Sequence, residues 1–243
     1  MQLDHSKVNV EDREKLNIIS RNIYSLESLT KEFASCLDLT LTCNSIIDKL
    51  YHDRKKDIAE YDQVGPDGYI NDASAWSKYR EQQNRYDGWA RIAVRSGALA
   101  AYGYQEVMQS LSNNIAQCQS VAVAIDRSEQ GRIVESFKRA FPTISGARTS
   151  AAHPGEFGST SNKIDKHVLK SSITTDNYRI NGDGINFFID GDIQFDGNGA
   201  TYTATFKGKM VEYNLRVESL TTLRQLTERW KKLFSMFDPW HRD

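Results

Sequence analysis

The sequence contains little proline and cysteine, and it has no large excess of charge of either sign. Of 243 residues, 4 are proline and 3 are cysteine, and 31 lysines and arginines are balanced by 32 aspartates and glutamates. A chain of this size buries a substantial core without metals or disulfides, which excludes the disulfide-stapled, collagen-like and disordered classes. A formal net charge of -1 excludes a protein whose whole surface binds nucleic acid by charge, and leaves room for a local basic patch.

The cysteines and the lack of long apolar runs bear on location. Cys36, Cys43 and Cys118 form no CxxC pair, and an odd number cannot all pair within one chain. Reduced thiols and a cytoplasmic location are therefore expected. Arginine, glutamine or glycine interrupts the longest weakly apolar stretches, so we expect no membrane span. The polar residues 1–13 predict no signal peptide.

The common cofactor and metal motifs are also missing from the sequence. Neither a GxGxxG segment nor a Walker lysine motif occurs, so no nucleotide cofactor is expected. The 5 histidines show no HxxxH or His/Cys/carboxylate spacing, so no metal site is predicted. A calcium loop beginning at Asp190 would need glycine and glutamate where the sequence has Phe195 and Thr201. The Asp-Gly segments of this region predict hairpin turns instead.

Apolar residues at helical spacing occupy the first half of the chain. Residues 10–62 contain neither glycine nor proline, and their apolar residues recur every three or four positions. This pattern predicts one long helix, or two helices joined near residues 39–43. The Gly-Pro-Asp-Gly cluster within residues 63–74 predicts a loop, and helix is predicted again over residues 74–119.

Small side chains are crowded into the middle of this second helical segment. Residues 89–108 are rich in alanine, glycine and serine, which indicates that the backbone of another helix approaches closely. A further amphipathic helix is predicted at residues 128–141, ended by Pro142, and a short alanine-rich segment follows at residues 144–152. Residues 158–177 are rich in serine and threonine and predict a loop.

The apolar pattern changes from helical to alternating in the last part of the chain. Strand candidates separated by glycine-containing turns lie at residues 185–189, 193–195, 200–207 and 210–217. They predict an antiparallel meander of three or four strands at about 184–217. Residues 219–237 return to an amphipathic helical pattern that closes the bundle. The predicted fold class is mainly α, a helical bundle with a small antiparallel β-meander inserted before the C-terminal helix.

The segment of greatest chemical interest is Arg-Thr-Ser-Ala-Ala-His-Pro-Gly-Glu, residues 148–156. An amphipathic helix ending in Phe-Pro precedes it, and a polar loop, the small sheet and the closing helix follow. This arrangement, with its Arg-x4-His spacing, resembles the HEPN superfamily over most of residues 76–237. We therefore divide the chain into an N-terminal helical region, 1–75, and a HEPN-like bundle, 76–243. Active members often carry Asn, Asp or His after the arginine, where this chain has Thr149.

The resemblance implies a metal-independent endoribonuclease of a toxin or defence system, with Arg148 and His153 catalytic and Glu156 in a supporting role. Cleavage without a metal needs a base, an acid and a cation beside the phosphoryl group, which histidine and arginine supply. From Arg148 to His153 a helix turns through about 500°, so one helix does not aim both side chains at one point. The resemblance implies a homodimer in which two motifs meet, and an inhibitory partner protein.

A basic surface would complement this motif. Arg91 and Arg95 lie one turn apart in the second helical segment, and they would line a phosphate-binding groove alongside Arg148. Tyr102, if exposed near that groove, would stack on RNA bases. These three residues are the predicted RNA-binding residues.

The same residues also fit a structural role. In that role Arg148 pairs with Glu156 or another carboxylate, while His153 caps a turn. Two function classes therefore stay open at this point. One is a HEPN-like ribonuclease, and the other is a non-catalytic helical module that binds a protein or nucleic-acid partner.

Overall fold

The structure, a computed structural model, describes residues 3–61, 73–153, 155–156, 158–169, 173–174, 179–180 and 188–237. The α-helices of these residues are α1 (Arg13–Tyr61), α2 (Ala73–Gln117), α3 (Gln119–Ala122), α4 (Arg127–Ala140), α5 (Ile144–Ala152), α6 (Ser161–His167) and α7 (Val217–Leu233). The strands are β1 (Ile173–Thr174), β2 (Arg179–Ile180), β3 (Asp192–Asp196), β4 (Gly199–Phe206) and β5 (Lys209–Arg216). Short 3-10 helices lie at His5–Lys7, Val10–Asp12 and Ser235–Phe237. The predicted fold class is confirmed: the fold is mainly helical, with a small antiparallel sheet before α7.

The two long helices lie side by side and antiparallel. Near the start of α1, the Lys15 ammonium donates to the carbonyl of Gln117 at the end of α2, at 2.6 Å. α1 is one continuous helix, and within the suspected break Thr40 donates its hydroxyl to the Cys36 carbonyl of the preceding turn. The predicted loop falls outside the described residues up to residue 72, and α2 begins at Ala73. The division into regions 1–75 and 76–243 stays a prediction.

The small residues of α2 serve two neighbours. A Cβ on Gly103 would lie 3.1 Å from the Leu29 side chain of α1, so the predicted close helix packing is present there. A Cβ on Gly97 would instead lie 2.9 Å from the Leu215 side chain of β5, and closer still to the hydroxyl of Tyr213. The small residues of α2 therefore allow α1 to pack closely at Gly103 and the sheet to pack closely at Gly97.

The larger sheet has the strand order β3-β4-β5, and all neighbours are antiparallel. Three of the four predicted strands are confirmed. The fourth candidate strand is residues 185–189, of which residues 185–187 lie outside the described residues. Ile189 is not in a strand, although its carbonyl accepts from the Thr205 N–H at 3.0 Å. Gly199 has a φ of 142°, and a Cβ there would lie 2.0 Å from the Leu215 carbonyl oxygen, so only glycine fits.

α4 and α7 complete the bundle close to where the sequence pattern predicts them. Trp230 of α7 and Phe137 of α4 are fully buried in the shared core. Arg229 of α7 contacts Glu129 of α4 at 2.7 Å, and Lys231 contacts Glu27 of α1, so charged pairs bind α7 to both neighbours. In the described part of the chain, no helix is both long enough and apolar enough to cross a membrane.

The prediction of a loop at residues 158–177 was wrong in part, because this segment contains α6 and the two-residue strand β1. The Thr160 side chain caps α6 by accepting from the backbone N–H of Lys163 at 3.4 Å. His167 ends this helix and is buried. Its Nδ1 accepts from the Lys207 N–H at 3.2 Å, and its ring lies 5.3 Å from that of Phe206. A short, polar helix of this kind leaves little periodicity in the sequence.

The burial of His167 makes stability depend on pH. Burial, with the charges of Lys166 and Lys207, lowers the pKa of His167 below its usual 6.5. As the pH falls, the unfolded chain therefore binds a proton at His167 near pH 6.5, at a higher pH than the folded chain does. The stability present above pH 6.5 is lost as the pH falls through the folded-state pKa of His167. We expect His167→Asn, which keeps an acceptor and removes the titration, to show a smaller fall in melting temperature between about pH 7.5 and about pH 5.5 than the wild type. Equal falls in the two proteins would contradict this.

Candidate functional site

The helix that carries the Arg-x4-His segment, α5, is fixed against the sheet at its first turn. The Thr143 hydroxyl, just before α5, donates to the Glu212 carbonyl of β5 and accepts from the Glu212 N–H. A Cβ on Gly146 would lie 2.7 Å from the Val211 side chain, so α5 approaches β5 as closely as glycine allows. The inner face of α5 is buried, and it consists of Ile144, Ala147, Ser150 and Ala151.

Arg148 lies on the outer side of α5 and contacts α2. Its guanidinium carbon is 5.1 Å from the centre of the Tyr102 ring, a cation–π distance. One turn earlier, the Ser145 hydroxyl donates to the Gln105 side chain at 3.3 Å, so α5 runs antiparallel to α2. The structure thus brings together a predicted catalytic residue, Arg148, and a predicted RNA-binding residue, Tyr102.

The surroundings of Tyr102 favour the protonated form of its hydroxyl group. Burial raises the pKa of Tyr102, and a hydrogen bond to the Glu106 carboxylate raises it further, while the positive charge of Arg148 opposes the shift. The hydroxyl is therefore a donor at neutral pH, and Glu106 accepts from it. Arg148, Tyr102 and Glu106 form one line of side chains across the surface of α2 and α5.

His153 lies at the C-terminal end of α5 and is accessible to solvent. It precedes a proline and has φ -126° and ψ 56°, which ends the helix. Its Nδ1 is 2.8 Å from Oε2 of Glu156, and Oε1 of Glu156 is 3.6 Å from the Lys163 ammonium of α6. Because a carboxylate only accepts, Nδ1 carries a proton in this pair, so acid–base chemistry with a ligand would use Nε2.

Arg148 and His153 have different partners. Glu156 pairs with His153, and among the described residues Arg148 makes no ion pair. The His153 N–H also donates to the Ser150 carbonyl at 3.3 Å, and the His153 carbonyl accepts from the Glu156 N–H at 3.1 Å. His153 therefore closes a turn, as the structural role requires, while 48% of its side chain is exposed, as chemistry requires.

The predicted RNA-binding residues share one face of α2. Arg91, Arg95 and Tyr102 lie within about 40° of one another around the helix axis. Arg91 is paired with Asp87 at 2.8 Å on the partly exposed surface. The Nε of Arg95 is buried and has no hydrogen-bond partner among the described residues. Of the predicted row, Arg91 thus lies on the partly exposed surface, and Arg95 has a buried Nε.

Tyr202 of β4 and Asp190, which the sequence analysis missed, lie near the end of α5. Burial raises the pKa of Tyr202, while its hydrogen bond with Ser150 and the positive charge of Arg95 oppose that shift. The Tyr202 hydroxyl is 2.8 Å from that of Ser150, three residues before His153. Asp190 lies close to the segment that follows α5, because a Cβ on Gly158 would lie 3.3 Å from the Asp190 Oδ2.

Little in the sequence indicates that Tyr202, Asp190 and Ser150 lie at the site. The alternating pattern around Tyr202 indicates a core residue of a strand, and the sequence around Asp190 indicates a turn. Ser150 lies inside the Arg-x4-His segment, which is the only hint of its position. Within the described residues, no group of three or more His, Cys, Asp or Glu is arranged to hold a metal ion.

Comparison with models of known protein families finds no match for this chain. Neither the curated proteins nor the solved structures include a significant match. The resemblance to the HEPN superfamily therefore depends on residues 148–156 and on the order of elements around them.

Proposed function

We propose that this protein is a HEPN-like, metal-independent endoribonuclease, and that its site is the surface formed by α2 and the C-terminal end of α5. The observation that supports this most is the exposed His153, which Glu156 orients at the end of the helix that carries Arg148. A carboxylate-bound, exposed histidine is suited to proton transfer at a phosphodiester, and an arginine on the same helix is suited to binding its phosphate oxygens. A cytoplasmic toxin or defence role, with an inhibitory partner protein, belongs to the same proposal.

In the proposed reaction, Nε2 of His153 takes the proton of a ribose 2′-hydroxyl. The 2′-oxygen then forms a bond to phosphorus, the bond from phosphorus to the 5′-oxygen breaks, and the leaving oxygen takes up a proton. The products are a 2′,3′-cyclic phosphate and a 5′-hydroxyl. In a homodimer, the same histidine of a second copy would supply the proton for the leaving oxygen.

The arginines would bind the phosphates on either side of the reacting group. Arg148 offers a planar fork of donors, and its position on the Tyr102 ring holds that fork in place before RNA arrives. Arg91 lies further along the same face of α2 and would contact a neighbouring phosphate once it leaves Asp87. Such contacts predict binding that weakens as the salt concentration rises.

The function is tested by incubating structured and single-stranded RNA with the purified wild-type protein in EDTA. We expect cleavage that survives chelation and yields 2′,3′-cyclic phosphate ends. Loss of cleavage in EDTA would contradict a metal-independent mechanism. The absence of cleavage from a well-folded protein, with either RNA, would contradict the enzyme proposal itself.

Arg148→Ala tests the phosphate contact separately from chemistry. We expect weaker RNA binding and a plot of log affinity against log salt whose slope is smaller by about one. Fluorescence anisotropy at several salt concentrations measures both quantities. Arg132→Ala is the matched control, because Arg132 is an exposed arginine of α4 that pairs with Glu129. An unchanged slope for Arg148→Ala would show that Arg148 does not contact phosphate.

A non-catalytic module that binds a protein or nucleic-acid partner is the second candidate. One observation favours it: Thr149, where active members often carry Asn, Asp or His, uses its hydroxyl to donate to the Ser145 carbonyl at 2.9 Å. This position therefore carries no acid–base side chain. RNA binding without cleavage in the EDTA experiment would select this candidate.

A further inference from the structure

A pocket separate from the His153 site lies where the connection from α4 to α5 meets β5. Its volume is about 180 Å³, and the residues around it belong to the end of α4, the start of α5 and strand β5. Because His153 lies at the other end of α5, the proposed RNA site and this pocket do not share residues. Binding at the pocket is therefore independent of the proposed ribonuclease function.

One of the residues that line the pocket has a buried carboxylate oxygen without a partner among the described residues. Glu212 lines the pocket, and its Oε1 is buried with no hydrogen-bond partner among the described residues. Its cross-strand neighbour Thr203 also has a buried hydroxyl without such a partner. Burying a carboxylate oxygen without a donor is costly, so a donor that enters the pocket gains the interaction that the fold leaves unmade.

The end of α4 adds to the negative potential at the pocket. α4 stops at Ala140, which lines the pocket, and the C-terminal end of a helix carries a partial negative charge. Lys138 in the last turn is occupied by Glu135 at 2.8 Å. Arg139 donates to the Glu135 carbonyl at 3.4 Å. Among the described residues, none of those that line the pocket is basic.

The rest of the wall is largely apolar. Phe141, Pro142, Ile144 and Met210 line it together with the polar residues Thr143, Glu212 and Asn214. A bare divalent cation prefers several oxygen ligands, whereas the Thr143 hydroxyl is bonded to the Glu212 backbone and Oδ1 of Asn214 accepts from Thr201. A cation with a hydrocarbon chain satisfies both parts of the pocket, because its chain contacts the apolar wall and its N–H groups reach the carboxylate.

We propose that this pocket binds an alkylammonium group, whose N–H donates to Oε1 of Glu212 while its methylene chain lies against Phe141, Pro142 and Met210. Two sources carry this chemistry. One is a free aliphatic amine, and the other is the lysine side chain of a partner protein.

Isothermal titration calorimetry with 1,4-diaminobutane tests the proposal, with 1-butanol as the uncharged probe. We expect saturable binding of the diamine, no comparable binding of the alcohol, and affinity at least about tenfold weaker in Glu212→Gln. Glu218→Gln is the matched control, because Glu218 is an exposed carboxylate on α7, and it should bind as the wild type does. No saturable binding by the wild type, equal binding of the alcohol, or equal affinity in Glu212→Gln would overturn the proposal.

A second variant keeps the test valid if Glu212→Gln fails to fold. Met210 lies two residues before Glu212 on β5 and lines the same pocket. Met210→Lys supplies an alkylammonium group from within the chain, so it should lose diamine binding while the protein stays folded. Retained binding in this variant would overturn the proposal. Tighter binding of Nα-acetyl-lysine amide than of the diamine would assign the pocket to a protein lysine, and the reverse order would assign it to a free amine.

Discussion

Replacing His153 with alanine is expected to lower the rate of RNA cleavage by about 10²- to 10⁴-fold, the range that a positioned acid–base group contributes. The side chain is exposed, lies at the end of α5 and is oriented by Glu156, so its removal takes away the proton acceptor without opening the core. Single-turnover rates in EDTA, with the wild type measured in parallel, give the ratio. The melting temperature should change little.

Two further variants sharpen this result. Glu156→Gln keeps the histidine and removes the charge that orients it, so we expect an intermediate loss of rate and an altered pH–rate profile. His52→Ala is the control, because His52 is an exposed histidine on α1. An undiminished rate in His153→Ala would show that this histidine takes no part in the reaction, whatever RNA is cleaved.

Phe137→Ala is expected to destabilise the protein by about 3–5 kcal/mol. Phe137 is 0% exposed, and its ring is stacked at 5.4 Å on that of Tyr104 from α2 and at 4.9 Å on that of Phe141. Removing it leaves a cavity between α2 and α4, and it also removes two aromatic contacts. Urea denaturation followed by circular dichroism gives the change in the free energy of unfolding.

Tyr24→Ala is the matched control for this measurement. The Tyr24 side chain is 65% exposed on α1, so its truncation should change the free energy of unfolding by no more than about 0.5 kcal/mol. A loss below about 1 kcal/mol in Phe137→Ala would mean that the surrounding rings collapse into the space. That outcome would contradict the close packing described for this core.

Periodicity in the sequence was sufficient for the elements that bury a regular face. The helix predicted at residues 128–141 lies at 127–140, and three strands lie within a residue of their predicted bounds. These elements alternate apolar and polar residues in register with their own geometry, so a local pattern reports them. α6 has seven residues, and only its last, His167, is buried, so its composition resembles that of a loop.

The site was predictable only in part, for a physical reason. The Arg-x4-His segment is local, and the sequence shows its position on a short helix before a proline. The contact of Arg148 with Tyr102 depends on how α5 packs on α2, and the hydrogen bond between Ser150 and Tyr202 depends on how α5 packs on the sheet. Local spacing does not record packing between distant segments, so these contacts required the structure.

The hydrogen bonds of Thr143 to β5 also affect how the protein behaves at high concentration. β5 is at the edge of its sheet, and the Glu212 N–H and carbonyl are directed away from β4. Exposed groups of this kind allow strands of different molecules to pair, which is a common route to fibrils. Thr143 occupies both groups with one hydroxyl, so another molecule's strand must displace the start of α5 before it can extend the sheet. One threonine thus blocks strand pairing at one point of this edge.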